Sequence, residues 1–546
     1  MEKIKKLFGN VSEFFKSVSV RFPVTMVLIV LFSVTASIFI DQDGSLGEFM
    51  ENKTIPFLMF WGFGTFFAES TFVHKKALKW CGVVLTGLCA AALVYFSVNA
   101  SDPVKEITEH WIQAYSIIMI TLGVYFNYRH SGLRFNEYCL HVVYSLSRLA
   151  IICAVTGIGI AMVMGVFVTL LLNGSHYMLI LRAEFLILGC LFGCGLLEAQ
   201  IRTDREPARF FIAIVKYLLM IMVLAAFVIV YGYILKIIIT RVMPSNEVFR
   251  ILAGLFLIGL PIWTLIGTFE EDHFLVRIGV KLPFIFIPFL FLQGYSIQQR
   301  IAAYGMTPAR YLCLVLMFFE IVYIIVYALR KRETGGMLLL IAGLAAVCLV
   351  FPYVNMFEVS NRSQKSIFDR LIKADFASLS LEEQSDLAGA YYYLDGNEAG
   401  KAILTGVDAQ KIDAIKESGM IGYRDYDVNM YIIYDFPVQN ADISGFDKMT
   451  LIQTSFKEEP EQCDPEKISF YDAEENLILT ADMTDFVKSC FASYAADPFG
   501  KPDFDGIVKV DENRKMQVLS CYMSADREQT VSNLDIRAVL FEKSNE

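Results

Sequence analysis

A single glutamate interrupts an otherwise apolar stretch in Leu316-Met317-Phe318-Phe319-Glu320-Ile321-Val322. If the stretch crosses a bilayer, a charge at its centre costs about 2.5–3.5 kcal/mol, so the carboxyl should face a cavity or a polar partner. Two chemistries fit: a proton or cation site, or a neutral carboxylic acid that packs through hydrogen bonds. Arg310 lies ten residues earlier on the same helix, about 15 Å away by helical rise and too far to pair directly. No Lys or Arg falls in the middle of any apolar run. Glu320 is therefore expected to be mostly neutral and to bond Gln293, a tyrosine or water. Glu320, Arg310, Tyr304 and Gln293 make up the candidate intramembrane site.

Other chemistry-bearing residues give weaker signals. Glu69 and Glu198 lie near the inner ends of their apolar runs, where a carboxylate is expected to snorkel to the interface. Eight of the eleven cysteines lie in or beside apolar runs, as small hydrophobes. Cys190 and Cys194 stand four apart, but no His or further Cys completes a metal set. Cys463, Cys490 and Cys521 are widely spaced, and an odd count argues against a disulfide scaffold. There is no phosphate-binding Gly-rich loop with Lys, no HExxH, no GxSxG and no paired CxxC. No catalytic residue, metal or cofactor is therefore expected, and the reading leans away from an enzyme. Pro261, Pro283 and Pro288 fall inside apolar runs, as do Gly157, Gly159, Gly165, Gly189, Gly193 and Gly195. Transporters place sites at broken helices. Close packing is the preferred reading here, since Gly189-xxx-Gly193 is a packing motif and Pro is tolerated in membrane helices.

The elements that must position these residues follow from composition. The chain has 546 residues, 55% hydrophobic and only 19% charged, against about a quarter charged in a soluble domain. Residues 1–355 hold 28 Lys+Arg and 21 Asp+Glu; residues 356–546 hold 19 and 36. The first part is basic and the tail acidic, which points the tail away from nucleic acid. A span needs about 20 apolar residues, and backbone groups in lipid must be satisfied internally, so the runs are helices. About eleven are expected: 22–40, 55–73, 80–98, 111–128, 150–172, 183–199, 215–239, 250–269, 282–298, 309–329 and 336–355. The first, Phe22 to Ile40, is 19 residues, longer than a signal h-region, and reads as a retained span.

Basic residues in the short loops set the orientation. With the N-terminus inside, 20 Lys+Arg of the first 355 residues fall on the inner side and 8 on the outer. An odd number of spans then puts the tail outside, whereas its three cysteines favour a reducing, inner side. Residues 1–21 place Ile4, Leu7, Phe8, Val11, Phe14, Phe15 and Val18 at helical spacing between lysines, an amphipathic interfacial segment. Phe135, Tyr138, Val142, Leu146 and Leu149 repeat the pattern, either as a second interfacial helix or as an extension of the fifth span.

The tail reads as helices first and a sheet after. Helical periodicity covers 361–376, 380–394 and 408–418, and again 482–495. Short β-rich runs fall at 430–436, 449–456, 468–471, 477–480, 506–510, 516–522 and 536–541, with Asp511-Glu512-Asn513-Arg514 as a hairpin loop. The arrangement is α+β with a mostly antiparallel sheet.

The stretch Arg300-Ile301-Ala302-Ala303-Tyr304-Gly305-Met306-Thr307-Pro308-Ala309-Arg310-Tyr311 is distinctive: Thr307 suits an N-cap and Pro308 the first helical position. With Asn355 and Ser360-Asn361-Arg362-Ser363-Gln364, and with Arg21-Phe22-Pro23, it resembles a bacterial family of multipass membrane proteins known only as domain of unknown function 4153. The resemblance covers about residues 15–375. It implies a bacterial cytoplasmic-membrane protein and carries over no catalytic residue. The chain is thus read as an α-helical polytopic membrane protein with about 11 transmembrane helices and a C-terminal soluble α+β domain. Its parts are an amphipathic segment at 1–21, a helical bundle at 22–355 and a soluble acidic domain at 356–546. The preferred function is a non-enzymatic cell-envelope sensing or interaction protein, with the lipid bilayer and an envelope protein as partners. The alternative is a secondary transporter or ion-coupled permease using Glu320.

Overall fold

The structure is a computed structural model that describes residues 15–40, 45–172, 177–203, 206–240, 247–269, 273–417, 430–436, 446–454, 465–472, 476–496, 502, 504–511, 513–525 and 531–543. It divides into two compact units. One comprises residues 1–364 with 397–403, and the other 365–396 with 404–546.

Each of the eleven apolar runs holds a helix. In chain order the helical unit contains α1 (Phe15–Arg21), α2 (Pro23–Phe39), α3 (Ile55–Thr71), α4 (Lys76–Asn99), α5 (Asp102–Ser131), α6 (Phe135–Leu171) and α7 (Met178–Ile201). There follow α8 (Arg209–Ile237), α9 (Glu247–Ile266), α10 (Ile287–Tyr304), α11 (Pro308–Leu329), α12 (Met337–Leu349) and α13 (Met356–Leu371), which continues into the second unit. Among the described residues six helices are long and apolar enough to cross a membrane: α4, α6, α7, α8, α9 and α11. The α1–α2 pair, bent by 116° around Phe22, makes up to seven.

The other expected spans fall short for separate reasons. Helices α2 and α3 have 17 residues and α12 has 13. Helix α5 has 30, but Gln113, Asn127 and three tyrosines dilute its apolar run. The run at 282–298 breaks at Phe286 into Leu282–Ile285 and α10. Pro288 has no N–H to continue the first piece, and its ring excludes the preceding turn. The expected interfacial helix at 135–149 is not separate: α6 runs unbroken for 37 residues. Of the N-terminal amphipathic segment only Phe15 onward lies within the described residues, and there α1 ends at the bend.

The surface and the core of this unit are both apolar. Helix α6 exposes Ile151, Val155, Ile158, Met162, Val166 and Leu170 along one stripe. In water each such side chain forgoes about 1.5–3 kcal/mol; in hydrocarbon it forgoes nothing comparable. The core lies around α9, α10 and α11, where Phe256, Trp263, Phe286, Phe289 and Tyr323 are fully buried. Phe256 and Tyr323 meet edge to face, with centroids 5.7 Å apart at 90°.

The second unit contains α14 (Leu381–Asp395), α15 (Glu398–Leu404, almost all of it counted with the helical unit), α16 (Ala409–Glu417) and α17 (Thr484–Ala496). Its strands are β1 (Met430–Asp435), β2 (Lys448–Thr454), β3 (Ile468–Tyr471), β4 (Leu477–Ala481), β5 (Ile507–Lys509), β6 (Arg514–Ala525) and β7 (Val531–Glu542). They form one antiparallel sheet in the order β1-β6-β7-β2-β3-β4, with β5 added to β6. Alternation along each strand sends Ile452, Phe470, Leu479, Met516, Val518, Ile536, Ala538 and Leu540 to one face, and α17 covers that face with Phe486, Val487, Cys490 and Phe491. The turn before β6 is closed by Val510 N and Asp511 N donating to the Arg514 carbonyl. Glu512 of the expected hairpin loop, and Cys463, lie outside the described residues. Helix α15 and the full length of β6, 12 residues, were not expected from periodicity.

Candidate functional site

The distinctive stretch at 300–311 forms the end of α10, a turn and the start of α11. Gly305 has φ +70° and ψ −170°, a conformation that a Cβ disfavours. Thr307 Oγ1 accepts from Arg310 N at 3.5 Å, and Pro308 opens α11. The last carbonyls of α10 have no partner within their own helix. Arg310 supplies one: its Nη1 donates to the carbonyls of Tyr304 at 3.1 Å and Gly305 at 2.7 Å. Its guanidinium carbon stands 5.3 Å from the Tyr304 ring centroid. From α13, Gln364 Nε2 donates to the carbonyls of Tyr304 at 3.2 Å and Met306 at 2.9 Å. Ser363 Oγ accepts from Met306 N at 2.8 Å. The two distant motifs thus close one lock around a single turn. Arg310 itself is buried.

Glu320 is fully buried two to three turns further along α11, and Gln293 is fully buried on α10. Gln293 Nε2 donates to Glu320 Oε1 at 3.4 Å. The other two oxygens of the pair, Glu320 Oε2 and Gln293 Oε1, are buried without a hydrogen-bond partner among the described residues. A protonated carboxyl could donate to Gln293 Oε1 while accepting from its Nε2; an ionised one can only accept. The buried face of α11 continues past Glu320 with Tyr323 and Tyr327. Trp263 Nε1 donates to the Tyr323 hydroxyl at 3.0 Å, and Tyr327 donates to the Val280 carbonyl at 3.0 Å. The four candidate residues therefore form two pairs. Glu320 meets Gln293 and Arg310 meets Tyr304.

A second polar cluster was missed. Glu69 was expected to snorkel, yet it is fully buried. Its carboxylate accepts from Val24 N at 3.1 Å, Thr25 N at 3.2 Å and Thr25 Oγ1 at 2.8 Å. It caps the start of α2, where unpaired amides and the positive end of the helix dipole favour an anion. Beside it Arg21 Nη2 donates to Asn127 Oδ1 at 3.1 Å and the Ser70 carbonyl at 3.4 Å, and Asn127 Nδ2 donates to Ser70 Oγ at 2.9 Å. Arg21-Phe22-Pro23 announces a helix start, but nothing local announces a cap supplied from α3. Glu198 pairs with Arg202 at 2.7 Å, one turn on. Glu333 Oε1 accepts from the Tyr128 hydroxyl at 2.9 Å and from Phe135 N at 3.3 Å, fastening the start of α6.

The glycines of α7 serve packing. A Cβ at Gly189 would lie 2.6 Å from Ser33 Oγ, and one at Gly193 2.5 Å from Ile29 Cγ2, so α7 and α2 approach closely only because neither position has a side chain. Among the described residues no three His, Cys, Asp or Glu side chains are placed to hold a metal ion.

No curated protein and no solved structure matches the chain. The family profile for the Domain of unknown function (DUF4153) matches residues 63–387, which include the lock around the 304–307 turn, the Glu320–Gln293 pair and Glu69, and the chain belongs to that family.

Proposed function

We propose that this chain is a multipass protein of a bacterial cytoplasmic membrane whose helical unit anchors a soluble α+β unit that senses or binds a partner in the cell envelope. The observation that carries this reading is the second unit's own core, where α17 covers one face of a seven-stranded sheet. In this reading all eleven apolar runs lie within the bilayer, the shorter helices buried among the longer ones. The N-terminus is cytoplasmic, because basic residues concentrate on that side, and the odd count makes the soluble unit extracytoplasmic. Photo-cross-linking from Leu451, an exposed residue of β2, tests it in living cells. A discrete adduct with an envelope protein is expected, and a ladder of unspecific products or none would remove the interaction role.

The Glu320–Gln293 pair favours a second reading, an ion-coupled permease. A carboxyl sealed in mid-bundle, on a helix face that continues with two hydrogen-bonded tyrosines, is where a coupling proton would reside. Proteoliposomes loaded with a pH dye separate the two readings. Proton flux that Glu320→Gln abolishes supports the permease. No flux in the unaltered protein leaves the anchoring role.

A further inference from the structure

A cavity of about 480 Å³ lies between α2, α3, α5 and α7, within the range of ordinary ligand pockets. Its wall is almost wholly apolar, from Leu28 and Phe32 on α2 through Phe63 on α3 to Phe192 and Leu196 on α7. The exceptions, Thr25 and Gln200, both lie at one end, beside the start of α2 and the finish of α7. The Tyr138 hydroxyl donates to Gln200 Oε1 at 2.7 Å and fixes that carboxamide. Arg21 and Arg202 follow directly beyond the same two helix ends. Along α7 the lining runs from Gly189 to Gln200, about 16 Å by helical rise and close to half of the roughly 30 Å hydrocarbon core.

We infer that this cavity binds one acyl chain of a phospholipid from the leaflet at the α2 N-terminal end. A slot one leaflet deep, apolar along its length and polar only at the end where Thr25 and Gln200 meet Arg21, Glu69 and the Arg202–Glu198 pair, has the polarity profile of a lipid standing in its monolayer. Water would find too few partners inside to be stable there. A polar solute would leave its own groups unpaired against the wall. A hydrocarbon chain fills the slot with dispersion contacts, and its phosphate stays at the level of the two arginines.

Gly62 makes the inference testable. It lines the cavity, and a Cβ there meets nothing within 4 Å, so a side chain starts from open space at the wall of the slot. The full chain is purified, washed with excess detergent, then offered phosphatidylglycerol, and bound lipid is read by native mass spectrometry. The unaltered protein should retain a phospholipid adduct and regain it after the wash. Gly62→Phe and Ile120→Trp, which enter the slot from α3 and α5, should lose it. Gly165→Phe on α6, where a Cβ also meets nothing within 4 Å, should keep it. Folded Gly62→Phe and Ile120→Trp proteins that still carry the adduct would overturn the site, as would an unaltered protein that carries none. An isoprenoid retained in place of phospholipid would overturn the occupant. Should both variants misfold, a phospholipid with a photoreactive acyl chain decides on the unaltered protein: labelling of α3 and α7 peptides supports the site, and labelling confined to other helices refutes it.

Discussion

Gln293 and Glu320 face each other from consecutive helices, with the carboxamide Nε2 3.4 Å from the carboxylate Oε1. The separation is long for an N–H···O bond, and each side chain keeps a second buried oxygen without a hydrogen-bond partner among the described residues. The pair is a loose contact with room to tighten. It is also separate from the Arg310–Tyr304 pair, so the two can be perturbed independently.

Removing both members of the pair should cost less than the two single removals added together. Glu320→Leu and Gln293→Leu each strand a buried polar group, at about 1–3 kcal/mol. The double variant should lose less than the sum of the two, whereas Glu320→Gln should leave the melting temperature in detergent nearly unchanged. Additive losses in the thermal unfolding cycle would show that the two side chains do not interact.

The lock around the 304–307 turn should fail at Arg310 first. Arg310→Ala removes donors to two carbonyls and should destabilise the helical unit by about 2–4 kcal/mol, at 1.5–3 kcal/mol for a charge-assisted bond and less for a second bond from the same group. Gln364→Ala should cost about 1–2 kcal/mol. Because both donate to the Tyr304 carbonyl, their losses should not add. Equal protease resistance of Arg310→Ala and unaltered protein would mean that the turn holds without it.

Glu69 acts as a cap, so an acceptor there matters more than a charge. Glu69→Gln keeps one oxygen and should lose only a few tenths to about 1 kcal/mol, while Glu69→Ala should lose about 1–2 kcal/mol. Hydrogen exchange at Val24 and Thr25 is the direct reading. Both amides should exchange markedly faster in Glu69→Ala than in the unaltered protein.

In the sheet-bearing unit, pH should act on the start of α14. The Ser380 backbone N–H and hydroxyl both donate to the Glu383 carboxylate and hold its pKa below the ordinary carboxylate value. A depressed folded pKa contributes stability that is present above the unfolded value and disappears as pH falls through the folded one. Exchange at Leu381–Gln384 should therefore quicken as pH falls below the ordinary carboxylate range, after correction for intrinsic rates. Glu383→Gln should remove that dependence, and an unchanged profile in the variant would exclude Glu383 as its source.

Cys490 and Cys521 should be silent until the sheet-bearing unit opens. Both are buried free thiols. A hydrogen bond with Cys490, followed by burial, pushes the Cys521 thiol well above the usual range, which leaves little thiolate to react. An impermeant maleimide given to intact cells should modify them only after mild denaturant. Modification that also requires cell lysis would place the sheet-bearing unit inside.

Much of this architecture can be read from residue order. The strands show as alternation of apolar and polar residues, and Thr307-Pro308 marks where α11 begins. Gln293 was among the partners expected for Glu320. The number of crossings cannot be read in the same way, because hydropathy does not register that Pro288 splits one apolar run, and counting runs passes over Gln113 and Asn127, which lower the hydropathy of another. Glu69 was misread, and the contacts of Arg310 were not foreseen, for a shared reason: their partners include backbone amides and carbonyls, which every residue has and none advertises. The contact from Gln364 to the 304–307 turn joins positions 58 and 60 apart and has no local signal at all.

The cap on α2 also imposes an order in time. Val24 and Thr25 leave the ribosome 45 and 44 residues before the glutamate that satisfies their amides. At roughly 5–20 residues per second that is a wait of several seconds. Until α3 has been made, α2 has no acceptor of its own for those N–H groups, and its start must leave them to water. The start of α2 is therefore complete only once α3 exists, and a ribosome stalled before position 69 leaves it uncapped.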